Sequence, residues 1–340
     1  MAIDKSTRKV TRGIQGLMGM AVGYQKSMVL LSASKLGVFG SLSKGPLSAE
    51  GVAQECGAPV RSISMLLNAC ASLGLVEKEG DRFSNSSLAE RFLTPGERGY
   101  LGNYLDLMDD GYRKWGSLTE AVRENRRVGP RERDAGKDPD WNRRFTMAMH
   151  QGARILAARV ARILDLKGRR RLIDVGGGPG TFAMAMVKRN PGLEAVVFDL
   201  PGVLEVTREL VEESGLSGRV RLQPGDYHRD TFGTDNDVVL LFGILHSESL
   251  ENRRMLVRKA WDSLAPGGLV VTRQVLLDED KTGPVEGALF SLQMLLNTDS
   301  GECYSWGEIR DLLEETGFVQ LSRLKVTASR PYWLVTARKP

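Results

Sequence analysis

The pattern of apolar and polar positions divides the chain into a helical N-terminal part and an alternating C-terminal part. Nearly continuous apolar runs predict buried strands at 171–175, 195–199, 219–223, 237–245 and 269–276. Helical spacing of apolar residues separates or follows these strands at 181–189, 201–214, 252–265 and 305–316. Such alternation is typical of a mostly parallel, doubly wound, Rossmann-like α/β sheet. Two late runs, 319–326 and 332–338, have no helix between them and predict an antiparallel hairpin at one edge of the sheet.

The first 100 residues have the pattern of a winged helix. A helix-compatible stretch at 12–34 precedes two short predicted helices, 49–56 and 60–73, and a small hairpin at 75–77 and 82–84. The second short helix is nearly all apolar after Arg61, whereas a helix that reads DNA needs several polar side chains. Oligomerisation is therefore favoured over DNA binding.

The predicted organisation has three parts. Residues 1–100 form a mainly α winged-helix domain, residues 101–165 a helical linker that contributes to an acceptor pocket, and residues 166–340 the Rossmann-like domain. Methionine and aromatic side chains of the last linker helix, such as Phe145 and Met149, are candidates for the wall of that pocket.

The strand at 171–175 ends in a glycine cluster that is followed at once by a helix. Gly176, Gly178 and Gly180 allow a tight turn and let the backbone approach a ligand closely. The next strand ends about 20 residues later at Asp199, where a carboxylate can accept hydrogen bonds from both hydroxyls of a ribose. This β-α-β unit predicts a ligand that contains a nucleoside.

Four polar or glycine positions fall at the ends of consecutive predicted strands. They are Gly176, Asp199, Asp226 and His246. In a doubly wound sheet, ligands bind beyond the carboxyl ends of the strands. We therefore expect these four residues to converge on one crevice.

Composition narrows the class of protein. The chain has 340 residues, a formal net charge of +5, three histidines and three widely spaced cysteines, without a C-x-x-C pair or a His/Cys cluster. These features argue against a disulfide framework and a zinc site, and they fit a reducing cytoplasm. The mild basic excess does not indicate nucleic acid, and the chain has neither an apolar run long enough for a membrane span nor a signal-peptide core.

The glycine spacing distinguishes between cofactor classes. The pattern is Asp174-x-Gly176-x-Gly178-x-Gly180, whereas dinucleotide-binding folds use G-x-G-x-x-G. The pattern resembles motif I of the class I methyltransferases that use S-adenosylmethionine and release S-adenosylhomocysteine. A nicotinamide-dependent oxidoreductase is disfavoured by the same spacing.

The resemblance extends from about Met20 to the end of the chain. The segments KLGVFGSL, DVGGGPG, FDLPGV, ILH and LAPGG together resemble the bacterial and plant family of small-molecule O-methyltransferases with an N-terminal winged-helix dimerisation domain. The resemblance implies a homodimer, a role in secondary metabolism, and methyl transfer without a metal to a hydroxyl of a small aromatic molecule.

The resemblance also implies roles for individual residues. Asp174, Gly176 and Gly178 would lie near the amino-acid end of the cofactor, Asp199 would hold the ribose, and Leu200 would pack on the adenine. Asp226 and Tyr227 would flank the adenine ring, and His246 occupies the position of the general base of the family.

Several positions around His246 depart from the family pattern. Ser247 and Glu248 follow the histidine where H-D-W is typical, and Phe242 replaces a polar residue four positions earlier. The supporting carboxylate of the fifth strand aligns with Gln274, and a second acid aligns with Cys303 or, after a one-residue slip, with Glu302. Phe242, Gln274 and Cys303 are therefore candidates for the acceptor pocket, and His246 either removes a proton or only orients the acceptor.

Three functions are compatible with these features. The first is an O-methyltransferase, and the second is a methyltransferase that acts on carbon or nitrogen. The third, from another class, is a winged-helix regulator with a ligand-sensing methyltransferase-like domain, which salt-sensitive binding to duplex DNA would favour.

Overall fold

The computed structural model describes residues 5–128, 138–327 and 332–340, with side chains from residue 13 onward. These residues belong to two compact units, 1–109 and 110–340. The elements of the first unit, in chain order, are α1 (Lys5–Ala21), α2 (Tyr24–Lys35), α3 (Val38–Ser41), β1 (Leu47–Ser48), α4 (Ala49–Cys56), α5 (Val60–Ser72), β2 (Val76–Glu79), β3 (Arg82–Asn85) and α6 (Ser87–Leu93). Helix α7 (Gly102–Trp115) runs from the first unit into the second.

The first unit contains the predicted winged helix. Helices α4 and α5 form the helix–turn–helix, and the strands form a small antiparallel sheet in the order β1-β3-β2. Ser48 caps α4 by accepting a hydrogen bond from the Gly51 amide, as Ser/Thr/Asp/Asn residues do at helix starts. The core includes Phe39, Ile63 and Leu67, so the buried side of α5 packs within its own unit.

The predicted helix at 12–34 is two helices. The break falls at Val22 and Gly23, between α1 and α2. The Gly23 amide donates to the Met20 carbonyl, three residues back, at 3.2 Å, so the regular α-helical hydrogen bonding is interrupted at this point. The break leaves α1 as a separate helix with large exposed apolar side chains, among them Leu17, Met18 and Met20.

The second unit holds the doubly wound sheet. Its remaining elements are α8 (Leu118–Glu124), α9 (Pro139–Ile163), β4 (Arg171–Val175), α10 (Thr181–Arg189), β5 (Glu194–Asp199), α11 (Pro201–Glu213), β6 (Val220–Pro224), β7 (Asn236–Phe242), α12 (Leu250–Ser263), β8 (Leu264–Leu277), α13 (Val285–Asn297), β9 (Tyr304–Ser305), α14 (Trp306–Thr316), β10 (Val319–Lys325) and β11 (Tyr332–Arg338).

The main sheet has the strand order β10-β11-β8-β7-β4-β5-β6. Five neighbouring strands of this sheet, β8, β7, β4, β5 and β6, run parallel to one another. Strand β11 is antiparallel to β8, and β10 is antiparallel to β11. This topology confirms both the doubly wound sheet and the antiparallel edge hairpin. One face of the sheet packs on α9 and α10, and the other packs on α12 and α14.

The structure corrects the predicted elements of this unit at three places. Strand β7 ends at Phe242, because Gly243 turns the backbone with a φ of +75°. Helix α12 stops at Ser263, because Leu264 already pairs with Asn236 on β7. Helix α13 was not predicted: its apolar residues follow one another too closely for a clear helical period. Among the described helices, none is long and apolar enough to cross a membrane.

Candidate active site

The glycine loop joins β4 to α10 and forms the floor of the crevice. Gly176 and Gly178 have φ values of +61° and +54°, a region that side chains other than glycine rarely adopt. A Cβ at Gly177 would lie 2.9 Å from Asp174 Cγ, so the loop sits directly on that carboxyl group. No atom lies within 4 Å of the position that a Cβ would take at Gly178, which leaves room for a ligand.

Asp199 ties the end of β5 to the glycine loop. Its Oδ2 accepts a hydrogen bond from the Gly178 amide at 2.7 Å, and its Oδ1 accepts one from the Leu200 amide at 2.7 Å. Burial raises the pKa of Asp199, and these two amide hydrogen bonds oppose the rise. Each carboxylate oxygen keeps a second lone pair, so the group can still accept hydrogen bonds from a ribose diol.

Thr207 also anchors the glycine loop, although it was not among the residues predicted for the site. Its hydroxyl donates a hydrogen bond to the Gly178 carbonyl at 2.7 Å, and the side chain is fully buried. The residue lies in α11, where a threonine at a buried position gives no signal of contact with a distant loop.

Asp174 is a buried carboxyl group without a hydrogen-bond partner of normal geometry among the described residues. Burial raises its pKa to about 7, and the Asp199 charge adds to the rise, while the Ala183 amide and the Arg273 charge oppose it. A buried polar group without a partner is costly, so the Asp174 carboxyl is a candidate contact for a ligand. A cationic amino group, as in the amino-acid part of S-adenosylmethionine, would complete this site.

Tyr227 covers the other side of the glycine loop. Its Cε1 lies 3.6 Å from the position of a Cβ at Gly176, and its hydroxyl donates a hydrogen bond to Glu248 Oε1 at 2.9 Å. Asp226 closes the turn before it, since its Oδ1 accepts a hydrogen bond from the His228 amide at 2.9 Å. Leu200 is partly exposed at the start of α11.

His246 lies in a short 3₁₀ turn, Leu245–Ser247, and not at the end of a strand as predicted. Two contacts hold this turn. The Tyr304 hydroxyl is 3.3 Å from the Glu248 carbonyl and 3.5 Å from the Leu245 carbonyl, and Gly301 packs so closely that a Cβ there would lie 2.5 Å from the His246 carbonyl oxygen. The backbone position of His246 is therefore well defined.

The imidazole of His246 has an apolar setting. Its ring meets Phe290 of α13 edge to face at 5.0 Å, and Phe290 packs in one cluster with Cys303 and Tyr332. The Nδ1 atom is buried without a partner among the described residues. Burial lowers the pKa of His246 to about 3, and the Arg273 charge contributes to the shift.

Neither position that the sequence offered for an acidic partner, Glu302 or Gln274, gives His246 such a partner. Glu302 is half exposed and forms ion pairs with Arg253 at 3.7 Å and Lys281 at 4.0 Å. Gln274 pairs in register with Trp333 of β11, on the face that packs against α12 and α14. Arg273, its neighbour on β8, lies on the other face, because successive side chains in a strand alternate.

The other residues predicted for the acceptor pocket are Phe242, which is buried, and Phe145 and Met149, which lie on α9. Phe242 is buried, pairs in register with Arg273, and meets Phe182 edge to face at 4.9 Å. Phe145 is 39% exposed on α9 and stacks on Trp141, and Met149 is partly exposed on the same helix. Within the described ranges, no group of three or more His, Cys, Asp or Glu side chains could hold a metal ion.

Two family models and several known proteins match this chain. Residues 18–95 match the model of the O-methyltransferase dimerisation domain, and residues 115–319 match that of the O-methyltransferase domain. The chain is 33% identical to 3-hydroxy-5-methyl-1-naphthoate 3-O-methyltransferase from Streptomyces sahachiroi, over 88% of each chain. It is 30% identical to the N,N-dimethyltransferase OxyT from Streptomyces rimosus, over 96% of each chain.

A solved structure shows the same fold with the cofactor bound. Human N-acetylserotonin methyltransferase in complex with S-adenosylmethionine superposes with a TM-score of 0.86 and 28% identity, over 99% of each chain. The fold, the glycine crevice and the two matched domains point to one family. The chain belongs to the S-adenosylmethionine-dependent O-methyltransferases that carry an N-terminal dimerisation domain, and it acts on small molecules.

Proposed function

We propose that this enzyme methylates a hydroxyl oxygen of a small aromatic acceptor, which binds between the glycine crevice and α13. The observation that carries the proposal is the contact between the His246 turn and the glycine loop. Ile244, two residues before His246, has its Cγ2 only 2.7 Å from the position of a Cβ at Gly176. An acceptor held beside His246 is therefore next to the reactive end of a cofactor bound on the loop.

The residues for the cofactor fall into two groups. Asp199 would hold the ribose hydroxyls, with Leu200, Asp226 and Tyr227 around the adenine, and Asp174 would face the amino group beside Gly176 and Gly178. The open space at Gly178 and the unpartnered Asp174 carboxyl support this arrangement. When bound, the cofactor supplies an electrophilic methyl group on a positively charged sulfur.

His246 is neutral at physiological pH because burial and Arg273 lower its pKa to about 3. A neutral imidazole can accept the hydroxyl proton of the acceptor. A phenol has a pKa of about 10, so a complete proton transfer to this histidine before methyl transfer is strongly uphill. We therefore infer that the proton leaves as the new oxygen–carbon bond forms, or that the acceptor arrives already ionised. Phe242, Phe290 and Cys303 form apolar walls that exclude water and hold the acceptor in line.

A second candidate is methylation at nitrogen. Within the described residues His246 has no acidic partner, so it is a weak base. A neutral amine attacks a methyl group without a base, and this favours nitrogen as an alternative acceptor atom. Methyl-labelled S-adenosylmethionine tests the choice on an acceptor that offers both a phenolic hydroxyl and an amino group. We expect the label on oxygen, and a label found on nitrogen or on a ring carbon contradicts the proposal.

The affinity for S-adenosylhomocysteine should rise with pH through the titration of Asp174. The ammonium group of the ligand prefers the ionised carboxylate, and the pKa of Asp174 without ligand is about 7. Below that pKa the carboxyl must first lose its proton, so we expect affinity about tenfold higher at pH 8 than at pH 6, measured by calorimetry. Asp174→Asn should bind more weakly and lose this pH dependence. A pH-independent affinity in the unmodified protein would contradict the role.

We also propose that α1 contributes to a homodimer interface. Ile14, Leu17, Met18 and Met20 are each more than half exposed on this one helix, which is unusual for a lone helix in water. Light scattering should give twice the chain mass of 37.4 kDa, and Leu17→Glu with Met18→Glu should give the monomer mass. Leu324→Glu, on the edge strand β10, is the matched control and should leave the mass at the dimer value. A monomeric unmodified protein would refute the proposal.

A further inference from the structure

Arg273 is the only charged residue of β8, and so far its one role is that its charge helps to lower the pKa of His246. It follows Val270, Val271 and Thr272 on β8, on the face that packs against α9 and α10. Its guanidinium lies between the rings of Phe182 and Tyr332, 5.4 Å from each centroid. Within the described residues it makes no hydrogen bond and no ion pair, and its Nε is buried without a partner.

The guanidinium reaches the backbone immediately before the His246 turn. Its Nη2 is 3.3 Å from the position that a Cβ would take at Gly243, and the Cε1 of His246 is 3.9 Å from the same point. A side chain at Gly243 would therefore be crowded by the guanidinium. A full positive charge and a neutral imidazole flank the same small volume.

Among the residues that the structure describes, no carboxylate forms an ion pair with this guanidinium. Burial lowers the pKa of Arg273, while Tyr332 and then Asp174 oppose the shift, so Asp174 lies within electrostatic reach. No ion pair of 4 Å or less joins Asp174 and Arg273 in the described chain, and both Asp174 carboxylate oxygens lack a partner. Arginine stays protonated even when burial lowers its pKa. The side chain is partly exposed, but its Nε is buried and its surroundings are largely aromatic, so a guanidinium without a negative partner is costly there. An anionic ligand that reaches the partly exposed end of the group would offset this cost.

We propose that Arg273 binds an anionic oxygen of the aromatic acceptor beside His246. The proposal rests on the proposed function and narrows its substrate class to acidic hydroxyarenes, which bring a carboxylate or a phenolate to this point. A planar guanidinium suits such oxygens because its N–H groups donate in parallel, and Phe182, Phe242 and Phe290 supply aromatic surroundings for the ring.

An anion bound at Arg273 explains how methyl transfer proceeds although His246 is a weak base. If the bound anion is the phenolate, the hydroxyl proton has already left to solvent when the acceptor binds. The oxygen lone pair then forms the bond to the methyl carbon, and the electron pair of the breaking carbon–sulfur bond stays on sulfur. If the anion is a carboxylate, Arg273 sets the position of the ring while His246 accepts the hydroxyl proton during transfer.

The test compares matched ligands on the protein loaded with S-adenosylhomocysteine. Calorimetry measures the binding of 3-hydroxy-1-naphthoate and of its neutral methyl ester, and the absorbance of bound 4-nitrophenol reports whether that phenol is ionised. The first pair detects a carboxylate site, and the second probe detects a phenolate site. We expect the unmodified protein either to prefer the acid by about tenfold to a hundredfold or to lower the pKa of 4-nitrophenol.

Two substitutions assign the preference to Arg273. Arg273→Met should abolish it, and Arg273→Lys should keep part of it, with the affinity for S-adenosylhomocysteine unchanged in both. Arg323→Met is the matched control, because Arg323 also lies between two aromatic rings, those of Trp306 and Trp333, but on the exposed edge strand.

Two sets of results would overturn the proposal. One is an unmodified protein that binds acid and ester equally, or binds neither, and leaves the pKa of 4-nitrophenol unchanged. The other is a loss of S-adenosylhomocysteine binding in both Arg273 variants, which would assign the guanidinium to the cofactor or to folding. Failure of the unmodified protein to bind S-adenosylhomocysteine is a separate outcome and would refute the proposed function itself.

Discussion

Replacing His246 with alanine should lower the turnover of methyl transfer by about 10²- to 10⁴-fold, the usual contribution of a positioned acid or base. The affinity for S-adenosylhomocysteine should not change, because the imidazole contacts Phe290 and not the glycine loop. Single-turnover transfer of a labelled methyl group to a phenolic acceptor measures the first quantity, and calorimetry measures the second.

The pH profile of the unmodified enzyme adds a second readout. The pKa of His246 is about 3, so the imidazole is in its neutral, proton-accepting form throughout the range from pH 5 to pH 9. Turnover should therefore show no inflection near pH 6.5, where an ordinary histidine titrates. Any rise of turnover with pH should instead follow the ionisation of the acceptor, and it should shift with the acidity of the phenol used.

His228→Gln is the matched control for the His246 substitution. His228 also lies near this turn and shares a hydrogen bond with Glu248 at 3.0 Å, but it is substantially exposed. Its replacement should leave turnover unchanged. If His246→Ala retains full turnover, or if His228→Gln loses as much, the assignment of His246 to the proton-accepting role is incorrect.

Replacing Asp199 with alanine should weaken the binding of S-adenosylhomocysteine by about a hundredfold. The substitution removes charge-assisted hydrogen bonds to the ribose, and a hydrogen bond to a charged group contributes about 1.5–3 kcal/mol. It also leaves the Gly178 and Leu200 amides without their present acceptor, so the loop itself loses two anchors. Calorimetry measures the affinity, and thermal unfolding measures the cost to stability.

Thr207→Val separates these two effects. It removes the hydrogen bond from Thr207 to the Gly178 carbonyl and so loosens the same loop, but it keeps the carboxylate. We expect it to lower thermal stability while losing far less affinity than Asp199→Ala. Equal losses of affinity in the two variants would show that Asp199 acts only by shaping the loop.

The sheet and its crevice could be predicted because several independent sequence signals agree there. The first two apolar runs, the glycine turn and the acid at Asp199 all lie within residues 171–199, and the later strands and helices alternate by the same local rules. The winged helix was predictable for the same reason, since Ser48 and the short hairpin are local signals.

The acceptor side could not be predicted in the same way. Helix α13 brings Phe290 to His246 across more than forty residues of chain, and Gly301 and Tyr304 position the turn from a segment further still. Sequence alone also cannot say which side of β8 faces the site. The alternation along the strand places Arg273, and not Gln274, on the side of Phe242.

Thermal unfolding with and without S-adenosylhomocysteine, with NAD as a parallel control, tests the assignment of the glycine crevice most directly. A ligand at about 100 times its dissociation constant adds roughly 2.7 kcal/mol to the free energy of unfolding. We predict a clear rise in the unfolding temperature with S-adenosylhomocysteine and none with NAD. A rise with NAD, or no rise with either ligand, would contradict the assignment of the crevice to S-adenosylmethionine.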